Sequence, residues 1–240
     1  MVWIKICGIT NTGDAEVAVR CGTDALGFVF STDSPRKIGL EAAGSIMDNL
    51  RDSSAFSNNE NIEIKNIRAK TVDAVGVFVN EDLEKVVNFS RQLKLDYIQL
   101  SGDESMDHIK RLKEMVPDVK VIKAIRIGND AGIQSKKIKK TVNEFRNLAD
   151  HILMDSFHPS KYGGTGKTLD LDTAKSFSSM PGFILSGGLD HLNIREAIRS
   201  IRPFGIDVSS RLESSPGKKD HRLVKDFIEA ARAAVEEEAV

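Results

Sequence analysis

Only two cysteines, Cys7 and Cys21, occur in 240 residues. A chain of this length can bury a substantial apolar core without cross-links. So small a thiol count excludes a disulfide scaffold and fits a reducing, cytoplasmic setting. An excess of charge is missing too, since 34 Lys and Arg stand against 35 Asp and Glu, a formal net charge of -1. With the two signs interspersed, there is no broad cationic surface to hold nucleic acid or a membrane. No apolar run reaches the roughly 20 residues that span a bilayer, and the opening MVWIKICGIT lacks the pattern of a signal peptide. The sequence also has no twofold repeat between its halves and no GxxxxGK[ST] spacing of a nucleotide-binding loop. The remaining expectation is a cytoplasmic protein whose partner is a small molecule.

What is present is an alternation. Short β-branched and aromatic runs, VWIKIC, ALGFVF, AVGVFV, YIQLS, KVIKAIRI, HILMDS, FILSGG and GIDVSS, are followed by stretches of helical periodicity. Most are apolar on both faces, as strands covered by helices are. In EDLEKVVNFSRQL, Leu83, Val86, Val87 and Leu93 fall at helical spacing, and DHRLVKDFIEAARAAVEEE reads as a C-terminal helix. Eight such units match the size of a parallel (β/α)8 TIM barrel, which takes about 250 residues. An open doubly wound sheet is the alternative. The barrel is favoured because Cys7, Asn80, Asp155, Gly187, Gly188, Ser209 and Ser210 all fall at carboxyl ends of strands, the end that builds a barrel's active site. The expectation is one α/β barrel domain over residues 1–240, with a polar surface insertion around 51–70, RDSSAFSNNENIEIKNIRAK.

Strand alternation puts Cys7 on the same face as Lys5, looking into the barrel mouth before Gly8. A free cysteine there is either a small buried hydrophobe or a base. An inward Lys5 needs a partner, and Asp207 on the last strand, adjacent to the first after closure, can supply it. That cation would draw the Cys7 thiol from about 8.5 toward neutrality. Cys21, on the apolar face of the first helix, reads as structural.

Asp155 ends an otherwise apolar strand, where it caps a turn or is held as an acid. The loop after it, SKYGGTGKT, contains Gly164 and could close over a ligand. Gly187, Gly188, Ser209 and Ser210 lie just beyond the last two strands, where small residues let backbone N–H groups approach a phosphate. Arg36, in STDSPRKIG, is a planar donor suited to a carboxylate, or else a solvated loop residue.

Together these pieces resemble the phosphoribosylanthranilate isomerases of tryptophan biosynthesis. KICGIT, ALGFVF…SPRKI, VGVFVN, IQLSGDE, MDSFHPSKYGGTGKTLDL, LSGGLDHLNIREAI and GIDVSSRLESSPGKKDH follow in the family's order over nearly the whole chain. The resemblance implies an Amadori rearrangement of a phosphosugar, with no metal or cofactor, in a monomer or homodimer. It gives Cys7 as general base, Asp155 as general acid and Arg36 as the grip on the anthranilate carboxylate. Asp207, Gly164, Gly187, Gly188, Ser209 and Ser210 complete the candidate substrate-binding set. Three departures stand out: Ser101 replaces the histidine of QLHG, Arg211 the glycine of DVSSGVE, and LDL at 169–171 the usual FDW. A catalytically silent phosphosugar-binding barrel is the competing reading. A related isomerase of histidine synthesis, with aspartates as acid and base, is disfavoured by Cys7.

Overall fold

A computed structural model describes residues 1–31, 33–51, 72–127, 133–156, 174–178 and 180–236. The eight expected strands form as β1 (Trp3–Cys7), β2 (Ala25–Val29), β3 (Asp73–Phe78), β4 (Tyr97–Leu100), β5 (Lys120–Ile127), β6 (His151–Ser156), β7 (Phe183–Ser186) and β8 (Gly205–Val208). All are parallel, and they pair in chain order into a closed barrel. β8 closes on β1 with Lys5 opposite Asp207. That pairing decides against the open sheet, and the fold is a TIM barrel. Most of the insertion expected at 51–70 lies outside the described residues, as does the loop carrying Gly164.

Around the barrel run α1 (Thr12–Arg20), α2 (Leu40–Arg51), α3 (Leu83–Leu93), α4 (Met106–Met115), α5 (Ile133–Phe145), α6 (Ile194–Ile201) and α7 (His221–Glu236). Polar caps fix their starts: Asn11 accepts from the Asp14 N–H, Asp82 from Glu84 and Lys85, and Ser105 from His108, satisfying donors that a first turn cannot pair internally. Cys21 caps the end of α1 and packs against the core. Among the described residues, no helix is long and apolar enough to cross a membrane.

Period-two alternation divides the apolar side chains. Ile4, Ile6, Leu26, Phe28, Ile98 and Ile206 face outward into the layer under the helices, while Trp3, Ala25, Val75, Tyr97, Leu153 and Ile184 fill the barrel interior. The amino-terminal end of that interior is aromatic. The Trp3 indole donates to Asp73 Oδ2 at 3.0 Å, and its ring lies 5.5 Å from Tyr97 and 6.1 Å from Phe204.

One element was not expected. After β8 the chain makes a short hairpin, β9 (Glu213–Ser215) with β10 (Lys218–Lys219). Pro216 and Gly217 turn it, Gly217 at φ 83°, as a Pro-Gly pair favours. The hairpin is bound to the first βα loop and to α1: the Thr10 hydroxyl donates to the Gly217 carbonyl, and Asp14 in the first turn of α1 accepts from the Lys219 N–H at 2.8 Å.

Candidate active site

The inward column of β1 is Trp3, Lys5, Cys7, with Cys7 uppermost. Opposite Cys7 across the β1–β2 ladder is Gly27. A Cβ on Gly27 would sit 2.8 Å from the Cys7 sulfur and 3.0 Å from Lys5 Cε, so the missing side chain is what makes room for both groups.

Lys5 is completely buried, and its ammonium donates to Asp207 Oδ1 at 2.6 Å. The pair expected from sequence is present. Ser186 at the end of β7 donates to the other Asp207 oxygen at 3.2 Å. Burial opposes the Lys5 charge, yet the Asp207 carboxylate and the Cys7 sulfur outweigh it, and its pKa is raised.

Cys7 behaves differently from expectation. Its pKa is raised, not lowered: burial dominates, and the pull of Lys5 is partly cancelled by the nearby Asp207 charge. A buried thiolate loses more hydration than one paired lysine returns. Its deprotonated form thus belongs to the alkaline side of the ordinary thiol range.

Arg36 follows β2 and lies over Gly8, whose φ is 79°; a Cβ on Gly8 would meet Arg36 Cδ at 2.6 Å and Ser209 Oγ at 3.1 Å. Its guanidinium is paired, not a freely solvated loop group, with the side chain 12% exposed. Nε donates to Glu213 Oε1 at 2.8 Å and Nη2 to Glu213 Oε2 at 2.7 Å, a two-pronged contact. Glu213 Oε1 also accepts from Lys219 Nζ at 2.9 Å, and Lys219 donates in turn to the Ser209 carbonyl at 3.2 Å. Glu213 is held below its ordinary carboxylate pKa, since Arg36 and Lys219 overcome the effect of burial. Burial pushes Lys219 down against the pull of Glu213.

Asp155 sits near the end of β6 on the same face as Leu153, and so points inward, in register with Arg126 of β5. Cys7 and Asp155 therefore share the carboxyl-end rim of one barrel, three strand steps apart through β7 and β8. Gly187 and Gly188 turn away from β7 at φ 95° and 66°, a consecutive left-handed pair that side chains resist. Asn193 fixes the turn by donating to the Gly188 carbonyl at 2.9 Å. Ser209 follows β8 and Ser210 opens a 3-10 turn. The buried Ser209 hydroxyl has no hydrogen-bond partner among the described residues.

The departures also find places. Arg211 leans toward Asp190 of the β7 loop, Nη1 to Oδ2 at 4.0 Å, and the Ser101 hydroxyl accepts from inward-facing Gln99 at 3.0 Å. The LDL segment lies outside the described residues. Sequence reasoning missed Gly27, Ser186, Glu213 and Lys219. Only the Pro-Gly turn signaled that Glu213 and Lys219 would be brought together.

A family model described as N-(5'phosphoribosyl)anthranilate (PRA) isomerase matches residues 49–230. The chain belongs to this family. Among its relatives is the N-(5'-phosphoribosyl)anthranilate isomerase of Thermotoga neapolitana, 40% identical over 97% of this chain and 99% of that one. Another is the Rubrobacter xylanophilus protein of the same name, 38% identical over 97% of this chain and all of that one. Of solved structures in the family, phosphoribosyl anthranilate isomerase from Thermotoga maritima superposes with a TM-score of 0.80 at 36% identity, over 97% of this chain and 100% of the other. A further isomerase structure, in complex with reduced 1-(o-carboxyphenylamino)-1-deoxyribulose 5-phosphate, gives 0.75 at 34% identity over 97% and 100%.

Proposed function

We propose that this chain isomerises N-(5'-phosphoribosyl)anthranilate to 1-(2-carboxyphenylamino)-1-deoxyribulose 5-phosphate, with Cys7 as base and Asp155 as acid. The observation that carries the reading is the placement of Cys7 and Asp155 inward on one rim of a barrel of this family. Asp155 gives its proton to the ribose ring oxygen. The C1'–O bond breaks and the anilino nitrogen lone pair forms a protonated Schiff base. The Cys7 thiolate then removes the C2' proton, and those electrons form the C1'=C2' bond and neutralise the nitrogen. The resulting enolamine tautomerises to the ketone. Each positioned proton transfer contributes about 10²–10⁴-fold.

The raised thiol pKa leaves a smaller thiolate fraction, a loss that the Lys5 ammonium works against. A less acidic thiol gives a stronger base once ionised, and the cationic Schiff base forms only after the ring opens, lowering the barrier to removing the adjacent proton. Gly187, Gly188, Ser209 and Ser210 hold the phosphate through backbone N–H groups and the otherwise unpartnered Ser209 hydroxyl. Arg36 takes the anthranilate carboxylate, while Asp207 acts from beneath by holding Lys5. Gly164, which lies outside the described residues, is the remaining member of the proposed substrate-binding set. All these residues come from one chain, so either a monomer or a homodimer can carry the site, and the setting is the cytoplasm. Incubation with N-(5'-phosphoribosyl)anthranilate, with chromatographic identification of the product, tests the reading. The aminoketose should accumulate, and unchanged substrate with folded protein would overturn the proposal.

A further inference from the structure

The Arg36 guanidinium is already occupied by a carboxylate. Glu213 engages its side-on edge, Nε and Nη2, at 2.8 and 2.7 Å, and the Glu213 side chain is itself only 4% exposed. A guanidinium has a second two-pronged edge, formed by Nη1 and the other Nη2 hydrogen. The substrate carboxylate of the proposed reaction would have to use that end-on edge.

Glu213 does not act alone. Its Oε1 is shared with Lys219, whose side chain is fully buried and which also donates to the carbonyl of Ser209, in the proposed phosphate turn. A continuous chain of charge-assisted contacts thus runs from the phosphate turn through Lys219 and Glu213 to Arg36. It fixes the separation of the two places where the anionic ends of the substrate would dock. A free arginine side chain loses considerable rotamer entropy on binding a ligand, and one already clamped does not.

We propose that Glu213 is a positioning residue that presents the end-on edge of Arg36 to the substrate carboxylate. The proposal rests on the isomerase reading above. It accounts for a buried acid that touches no reacting atom, and it makes Arg36 specific in kind: lysine, a point charge, cannot serve two carboxylates in fixed directions.

The test compares N-(5'-phosphoribosyl)anthranilate with N-(5'-phosphoribosyl)aniline, which lacks the carboxylate. Wild-type turnover is measured first, and its absence on both would count against the isomerase reading, not against Glu213. With an active wild type, Glu213→Gln should lower kcat/KM on the anthranilate substrate by about 10- to 100-fold, as loss of an outer orienting partner typically does. The loss should lie mainly in KM, with less than about threefold change on the aniline substrate. In an Arg36→Met background the same substitution should add less than about twofold, because its effect passes through Arg36. Equal losses on both substrates, or full additivity with Arg36→Met, would overturn the proposal. If Glu213→Gln does not fold, Glu213→Asp is put through the same two-substrate comparison, with the same readings of confined and equal loss.

Discussion

Two buried lysine–carboxylate pairs stand on opposite sides of the barrel wall. Inside, Lys5 of β1 meets Asp207 at 2.6 Å. Outside, Lys123 of β5 meets Glu104 at 2.7 Å, lying over the Phe145 ring of α5. The outer pair is closed: Lys123 also donates to the carbonyls of Gly102 and Leu100, and the second Glu104 oxygen accepts from the N–H groups of Asn80 and Gly102. Every charge there ends on the loop it shapes. The inner pair opens instead onto the Cys7 sulfur, so its field falls on a group that can change protonation. The same two residue types thus make a loop fastener in one place and an electrostatic setting for the proposed base in the other.

The largest separation between the two regions should come from the proposed acid and base. Cys7→Ala should lower kcat by about 10²–10⁴-fold with little change in affinity for a product-like ligand, and Asp155→Asn should do the same. Steady-state kinetics beside ligand titration checks both, and retained turnover would remove the residue from the mechanism.

Next come the lysines. Lys5→Met and Lys123→Met each strand a buried carboxylate, and each should destabilise the fold by about 3–5 kcal/mol in denaturant titrations. Their kinetics should diverge. Lys123→Met should lower kcat per folded molecule less than Lys5→Met does, since its contacts end on the loop after β4 and not on the Cys7 sulfur.

The pH profile sharpens the contrast further. Burial raises the Cys7 pKa, so the thiol of the proposed base ionises at higher pH than an ordinary thiol, whose value is about 8.5. The limb of kcat/KM that rises with pH and reports the thiol should therefore lie above that value. Lys5→Met removes a cation that favours the thiolate and should move this limb higher still, while Lys123→Met should not move it. A limb at neutral pH in the wild type would contradict an upward shift of the thiol.

The smallest effect is expected at Arg211. With its guanidinium drawn toward Asp190, Arg211→Gly should change KM by less than about threefold, below 1 kcal/mol. A tenfold rise with kcat retained would make it a phosphate ligand.

The inner pair was legible in the sequence because barrel closure makes the last strand a neighbour of the first, so an inward Lys5 finds Asp207 by register. The eight strands were legible for a related reason: runs such as ALGFVF and FILS are apolar on both faces, as strands covered by helices are. Glu213 escaped notice because its partner Arg36 lies 177 positions away, and strand periodicity says nothing about a hairpin beyond the last strand. Gly27 escaped because its role is the absence of a side chain next to sulfur. The direction of the Cys7 shift depends on how dry the barrel is, which no local pattern records.

Trp3 offers a use for the amino-terminal aromatic layer. It is the only tryptophan in the chain, it is buried, and it stands on the same strand as Lys5 and Cys7 but at the opposite end of the barrel. Its indole is tied to Asp73 on β3, so its emission is an intrinsic optical gauge of barrel closure, spatially separated from the chemistry at the mouth. A mouth variant that loses turnover while keeping the wild-type emission maximum has lost chemistry, and one whose emission shifts to the red has let water into the barrel floor.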